Sequence, residues 1–249
     1  MMEYKRTTWN DYEMLEFTLE GRAAKLVLPK ERAEGSPWLL KTEYFNAFPS
    51  FEIEMLSRGW HVAFITNETR WHLESDDAPK AALAEFLEKE FSLAKKCVTV
   101  GMSCGGMHSI YFAAKYPERV AGMYLDAPVV NLLSCPCGIG RGTDPNFYAK
   151  FTQLTGLTVS SLINYRNHPY DRLPEIVAAG IPMFMVCGDA DVIVPYEENG
   201  KVLYEYVTSH GGEIEQIVKP GCDHHPHGLD DLTPLIKFAE KAQEKMLKA

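Results

Sequence analysis

No stretch of this chain comes near the ~20 consecutive apolar residues that a bilayer-spanning helix requires, although hydrophobic residues make up 46% of it. The opening residues, Met1-Met2-Glu3-Tyr4-Lys5-Arg6, lack the apolar core of a secretory leader, so a cytoplasmic protein is expected. Basic charge is also short. The formal net charge of −9 argues against nucleic acid or an anionic membrane as the main partner. There is no C-x-x-C pair. Cys135-Pro136-Cys137 has the wrong spacing for a metal or redox pair, and the six cysteines are dispersed, so free thiols are expected. There is no internal repeat and no low-complexity segment.

What is present suits one α/β domain of 249 residues with 24% charged side chains. Strands are predicted at 13–19, 23–28 (after a Glu20-Gly21 turn), 37–45, 60–66, 98–100, 122–128, 181–187 and 214–218. Helices are predicted at 51–57, 81–95, after residue 103, at about 196–209, and from a Thr233 cap with Pro234 in the first turn. The last helix is expected to bury Leu235, Ala239, Ala242 and Met246. Residues 67–80 read as a loop. Strands alternating with helices imply a mostly parallel central sheet flanked by helices on both faces. Residues 131–178, rich in Gly, Pro, Asn and aromatics, interrupt that rhythm. They are expected to form a cap insertion within the single domain 1–249.

The most informative segment is Val98-Thr99-Val100 running into Gly101-Met102-Ser103-Cys104-Gly105 and then a helical pattern ended by Pro117. This is G-x-S-x-G in the strand-turn-helix context of a nucleophile elbow. The flanking glycines let Ser103 take a strained backbone angle, and the N–H of Cys104 at the helix start is placed to receive an oxyanion. The pentapeptide arises by chance in roughly one chain in ten of this length, so its downstream partners carry the weight.

A serine hydroxyl needs a base, and the base needs an acid to orient it; after an elbow they follow in the order acid, then His. Cys187-Gly188-Asp189-Ala190-Asp191 offers two acids. Asp191 is preferred, and Asp189, nearer the strand end, is expected to brace the turn. Asp223-His224-His225-Pro226-His227 offers three bases. His224 is chosen as the first after the turn, with His225 and His227 lining the pocket or bracing the loop; which of the three is the base stays open. A metal cluster here lacks supporting spacing, and no cofactor is expected. His61 and His108 read as packed. The second oxyanion N–H is sought in Lys41-Thr42-Glu43-Tyr44-Phe45, from Glu43 or Thr42. Substrate contact is expected from Trp71, with Tyr148, Phe151, Tyr165 and Tyr170 as further aromatic candidates and Arg70, Arg141 and Arg166 as cationic ones.

The order Ser103, Asp191, His224 on alternating strands and helices resembles the α/β-hydrolase fold from about residue 13 to the end. Several segments also resemble a bacterial group of serine hydrolases found near plant-polysaccharide degradation genes. They are Leu26-Val27-Leu28-Pro29, Pro37-Trp38, Glu43-Tyr44-Phe45-Asn46-Ala47-Phe48-Pro49, Asp126-Ala127-Pro128-Val129, Glu198-Asn199, and Lys219-Pro220-Gly221 leading into the histidines. Two positions depart from that group: Cys104 stands where it tends to have Arg, and Asp223 where it tends to have Gly. The resemblance implies a serine esterase for short-acyl esters of sugars or small alcohols. The rivals are a small peptidase of prolyl-oligopeptidase type, for whose gating domain 249 residues leave no room, a hydrolase-shaped binding protein without turnover, and a metal-dependent hydrolase.

Overall fold

Two left-handed turns set one edge of the sheet in the computed structural model, which describes residues 3–141 and 145–248. Asn10 and Asp11 (φ 47° and 66°) join β1 (Lys5–Trp9) to β2 (Tyr12–Leu19). Glu20 and Gly21 (φ 50° and 74°) join β2 to β3 (Arg22–Val27). Positive φ at both central residues matches the right-handed twist of the flanking strands. The second hairpin is the one expected. The first strand escaped the sequence reading because its residues are mostly exposed at the edge and form no apolar run; the Asn-Asp pair was the available signal.

β3 pairs antiparallel with β5 (His61–Ile65). From there the sheet is parallel through β4 (Trp38–Lys41), β6 (Cys97–Met102), β7 (Val120–Asp126), β8 (Met183–Gly188) and β9 (Ile214–Lys219). The spatial order is β1-β2-β3-β5-β4-β6-β7-β8-β9. The inner strands are buried on both faces, as their continuous apolar runs imply. Leu39, Val62 and Tyr124 point to one face, where α1 (Ser50–Ser57) and α8 (Thr233–Lys248) cover them. Leu40, Ala63 and Leu125 point to the other, under α2 (Asp77–Phe91), α3 (Cys104–Lys115) and α7 (Gly200–Ser209). Leu235, Ala239 and Ala242 of α8 are buried as expected; the side chain of Met246 lies outside those described.

Most boundaries fall within two residues of the sequence reading, and three are displaced by four residues. The third strand stops at Lys41, not at 45, because the chain then turns toward the elbow. α2 begins at Asp77, since Pro79 falls in its first turn, where a missing N–H costs nothing. It ends at Phe91, because Ser92 adopts φ 55°. Residues 131–178 lie between β7 and β8 and carry α4 (Pro145–Thr155), α5 (Val159–Ile163) and α6 (Leu173–Ala178). Leu132, Phe151 and Leu162 from this segment pack with Trp71 and with Cys104, Met107 and Tyr111 of α3. Among the described residues no helix is long and apolar enough to cross a membrane.

His61 and His108 are buried, as read from the sequence. Burial lowers the pKa of His61 to about 4, against the upward pull of its Pro37 carbonyl contact, and burial also holds that of His108 well below the usual imidazole value. The unfolded chain therefore takes up protons that the folded chain refuses. Stability present above pH ~6.5 is lost as pH falls through that window. His61→Asn keeps a donor for the Pro37 carbonyl and removes one titration. Urea midpoints measured from pH 7 to 4.5 are expected to fall less steeply in this variant than in the wild type.

Candidate active site

Ser103 occupies the turn between β6 and α3 with φ 53° and ψ −120°. Such an angle persists in a non-glycine residue only when its surroundings over-determine it. Here the Ser103 N–H donates to the Asp126 carbonyl (2.8 Å), and its own carbonyl accepts from the N–H groups of Gly106 (2.9 Å) and Val129 (3.1 Å). The turn is tight enough that a Cβ on Gly101 would stand 2.5 Å from Ser109 Oγ and 2.6 Å from the Gly105 carbonyl oxygen. The N–H of Cys104 is one of those that the start of α3 leaves without a helical partner.

His224 Nε2 lies 3.1 Å from Ser103 Oγ, and its Nδ1 lies 2.7 Å from Asp191 Oδ2. The other oxygen of Asp191 accepts from the N–H groups of Ile193 and Val194, each at 2.8 Å. Asp191 and His224 are both buried. Asp189 is exposed and its Oδ1 accepts from the Gly221 N–H at 2.6 Å, so it braces the base loop. Gly188 lets that loop close in, since a Cβ there would meet the Cys222 carbonyl oxygen at 2.2 Å. Asp223 joins the two loops: its Oδ1 accepts from the N–H groups of His224 (2.7 Å) and Val192 (3.1 Å). Those donors hold its carboxyl below the usual range.

A second buried His–Asp pair stands beside the first. His227 Nδ1 lies 2.6 Å from Asp126 Oδ1, and Asp126 Oδ2 accepts from the Gly228 N–H and the Tyr124 hydroxyl, each at 2.7 Å. Asp126 thus anchors the base loop through its side chain and Ser103 through its carbonyl. His225 is exposed and stacks on Phe48. One ring nitrogen from each of His224, His225 and His227 lies within 4.8 Å of the others, so these three are the residues that could hold a metal. Both ring nitrogens of His224 are already engaged, by Asp191 and Ser103, and a metal on Nε2 would displace the Ser103 hydroxyl.

The loop after β4 comes down on the elbow. Thr42 Oγ1 donates to the Gly105 carbonyl at 2.7 Å, and the Thr42 N–H is taken by the Val100 carbonyl. Glu43 N sits 3.5 Å from where a Cβ on Gly105 would stand, so of the two residues considered Glu43 has the available N–H. Asn67 holds the Glu43 carboxylate at 2.5 Å. Beneath the loop, Lys41 pairs with Glu52 in full burial and donates to the Ala47 carbonyl at 3.2 Å.

A cavity of about 430 Å³ opens on Ser103, Cys104 and His224. Phe48, Trp71, Phe147 and Ile193 supply apolar walls. Tyr44 and Arg70 add a hydroxyl and a guanidinium. Burial pushes the Cys104 thiol up to about 11, against the downward pull of Tyr44 and Arg70, so it is a neutral wall.

Residues 55–244 match the prolyl oligopeptidase family. The chain belongs to that family of serine hydrolases. As a family member with an α/β-hydrolase fold, it superposes on the Pyrococcus horikoshii acylaminoacyl peptidase with a TM-score of 0.63 and 13% identity, over 90% of this chain and 37% of the peptidase. It superposes on Porphyromonas gingivalis dipeptidyl peptidase 4 with 0.64 and 16%, over 99% and 35%. It spans little more than a third of either peptidase. With Est1E from Butyrivibrio proteoclasticus the values are 0.59 and 15%, over 98% of both chains.

Of the residues read from the sequence, this family member brings Ser103, Cys104, Trp71, His225 and His227 to the cavity and Asp191 behind His224. The aromatic and cationic candidates divide. Phe151 sits behind Trp71 with ring centroids 5.8 Å apart, and Tyr170 packs on Tyr206. Tyr165 lines a second cavity of about 430 Å³ that shares Trp71. Tyr148 accepts from the Val159 N–H, and Arg141 and Arg166 are exposed and outside the serine cavity. Phe147 was not singled out, and Phe48, Tyr44 and Asp126 appeared in quoted segments with no role of their own. Their contacts are long-range, and the available signal for Asp126 was an acid at a strand end beside the elbow strand.

Proposed function

We infer that this serine hydrolase cleaves carboxylic esters through an acyl-enzyme, with Ser103 as nucleophile, His224 as base and Asp191 as its orienting acid. The observation that carries the reading is the hydrogen-bonded line from Ser103 Oγ through His224 to Asp191. His224 Nε2 takes the Ser103 proton as Oγ attacks the ester carbonyl. The N–H groups of Cys104 and Glu43 hold the oxyanion. Nε2–H then protonates the leaving oxygen, the C–O bond breaks, and the alcohol departs. Water, deprotonated by the same nitrogen, attacks the acyl-enzyme; the acid leaves and Ser103 regains its proton.

Short-acyl esters of sugars or small alcohols are the proposed substrates. Support comes from the aromatic walls of Phe48, Trp71 and Phe147 and from the resemblance to carbohydrate esterases. The segment 131–178 acts as the cap, with Cys135 and Phe147 facing the cavity. Amide cleavage is the second reading, favoured by the family match. No carboxylate is among the described residues lining the cavity, so nothing there pairs with the free ammonium of a peptide N-terminus. None of the six cysteines is in a disulfide, which supports a cytoplasmic location.

The test compares para-nitrophenyl acetate, butyrate and octanoate with the para-nitroanilide of acetic acid, on wild type and Ser103→Ala. Acetate is expected to be the best ester, at least about a hundredfold faster than the anilide, lost in Ser103→Ala and unchanged by a chelator. A fluorophosphonate is expected to label the wild type alone, which removes the binding-protein rival. An anilide faster than the esters would establish the peptidase reading, and chelator sensitivity the metal one.

A further inference from the structure

We propose that Arg70 is a specificity residue that binds a carboxylate on the substrate, next to the scissile bond. This rests on the acyl-transfer reading of the same cavity. Arg70 lines the cavity together with Ser103, Cys104 and His224. Its guanidinium lies 5.9 Å from the Trp71 ring and 5.6 Å from the Phe147 ring. Those contacts fix the plane of the fork without neutralising it.

The charge of Arg70 is otherwise unspent. Arg22 pairs with Asp76 and Glu68, Arg58 with Glu54 and Glu240, Arg119 with Glu88, and Arg172 with Glu175. Arg70 forms no ion pair among the described residues. The acid closest to it in effect is Glu43, whose carboxylate is held by Asn67. A half-buried, oriented guanidinium in a cavity whose described lining residues include no carboxylate is suited to a bidentate contact with an incoming carboxylate, and the low local dielectric strengthens that contact. A neutral substrate of the same shape leaves the guanidinium covered and unpaired, which is the costly outcome.

The carboxylate can belong to the acyl group, as in a dicarboxylic acid monoester, or to the alcohol, as in an acylated hydroxy acid or acidic sugar. Two substrate pairs distinguish these sources. The adipic acid mono-para-nitrophenyl ester is set against para-nitrophenyl hexanoate, and para-acetoxybenzoate against para-acetoxybenzamide. In the wild type one pair is expected to show an anionic-to-neutral ratio in kcat/KM of roughly tenfold or more. Arg70→Gln is expected to bring that ratio to about one, chiefly through KM, and Arg70→Glu to invert it. Arg70→Lys, which keeps the charge without the fork, is expected to restore part of it. Protection of Ser103 from a fluorophosphonate by benzoate, and not by benzamide, reads the same contact without turnover. Wild-type ratios at or below one in both pairs, or a ratio unmoved in Arg70→Gln, overturn the proposal. If no ester is turned over while benzoate still protects, the ester reading falls and the carboxylate site stands. If benzoate fails as well, both fall.

Discussion

Ser103→Ala and His224→Ala are each expected to lower kcat by roughly 10⁴–10⁶, with thermal unfolding little changed. Both atoms of the transfer are at hand, Oγ and Nε2 at 3.1 Å, and neither group has a substitute. His227 is bound to Asp126 through Nδ1, and His225 lies at the exposed rim. The double variant Ser103→Ala/His224→Ala is expected to be no slower than either single one, because the two act as a unit. Asp191→Asn is expected to cost roughly 10⁴, since an amide fails to hold the ring in the tautomer that leaves Nε2 free. Asp189→Asn is the contrast. Its carboxylate touches only the rim of the base loop through the Gly221 N–H, and its effect on kcat is expected within about threefold. Steady-state kinetics on one ester, with folded protein counted by absorbance and circular dichroism, decides among these. A large loss in Asp189→Asn with little in Asp191→Asn would reverse the assignment of the acid.

The largest stability effect is expected at Lys41. Its ammonium and the Glu52 carboxylate are fully buried together under the loop that carries Glu43. Glu52 Oε2 has no hydrogen-bond partner, so the pair is not fully satisfied even when intact. Lys41→Met strands a buried carboxylate, and Glu52→Leu strands a buried ammonium. Each is expected to cost about 3–5 kcal/mol, on the order of 10 °C in melting temperature for a chain of this size. The double variant Lys41→Met/Glu52→Leu replaces both charges by side chains of similar volume, and is expected to recover most of the loss. Chemical denaturation of the four proteins closes the cycle. Additive losses in the double variant would show that the two residues contribute separately. Lys41 also donates to the Ala47 carbonyl, so the double variant is expected to keep stability while turning over more slowly than the wild type, through a looser loop.

The elbow at Ser103 was legible because everything that makes it is local. Val98-Thr99-Val100 alternate between the two sheet faces, Gly101 admits the close approach of Ser109, and the helix that follows begins at Cys104. The Asp191 that meets His224 was legible by position in the chain, since it follows a buried strand. Between the two aspartates there, a difference of two residues moves the side chain from an exposed brace to the buried His224. The edge strand β1 was invisible because it buries little. The start of α2 was placed late because Pro79 reads as a breaker unless its position in the first turn is known.

The sequence by itself determined the alternation of strands and helices, the elbow at Ser103 and the order in which Asp191 and His224 follow it. Those depend on residues within a few positions of one another, where periodicity and backbone sterics act directly. Only the tertiary structure decided which histidine meets Ser103, that Asp126 and Asp223 tie the base loop to its neighbours, and that Arg70 faces the cavity while Arg141 and Arg166 do not. Ser103 and His224 are 121 residues apart, and Asp126 and His227 are 101. At such separations the partner is chosen by where the sheet order and the loop lengths bring the chain together. Neither leaves a mark on the residues themselves.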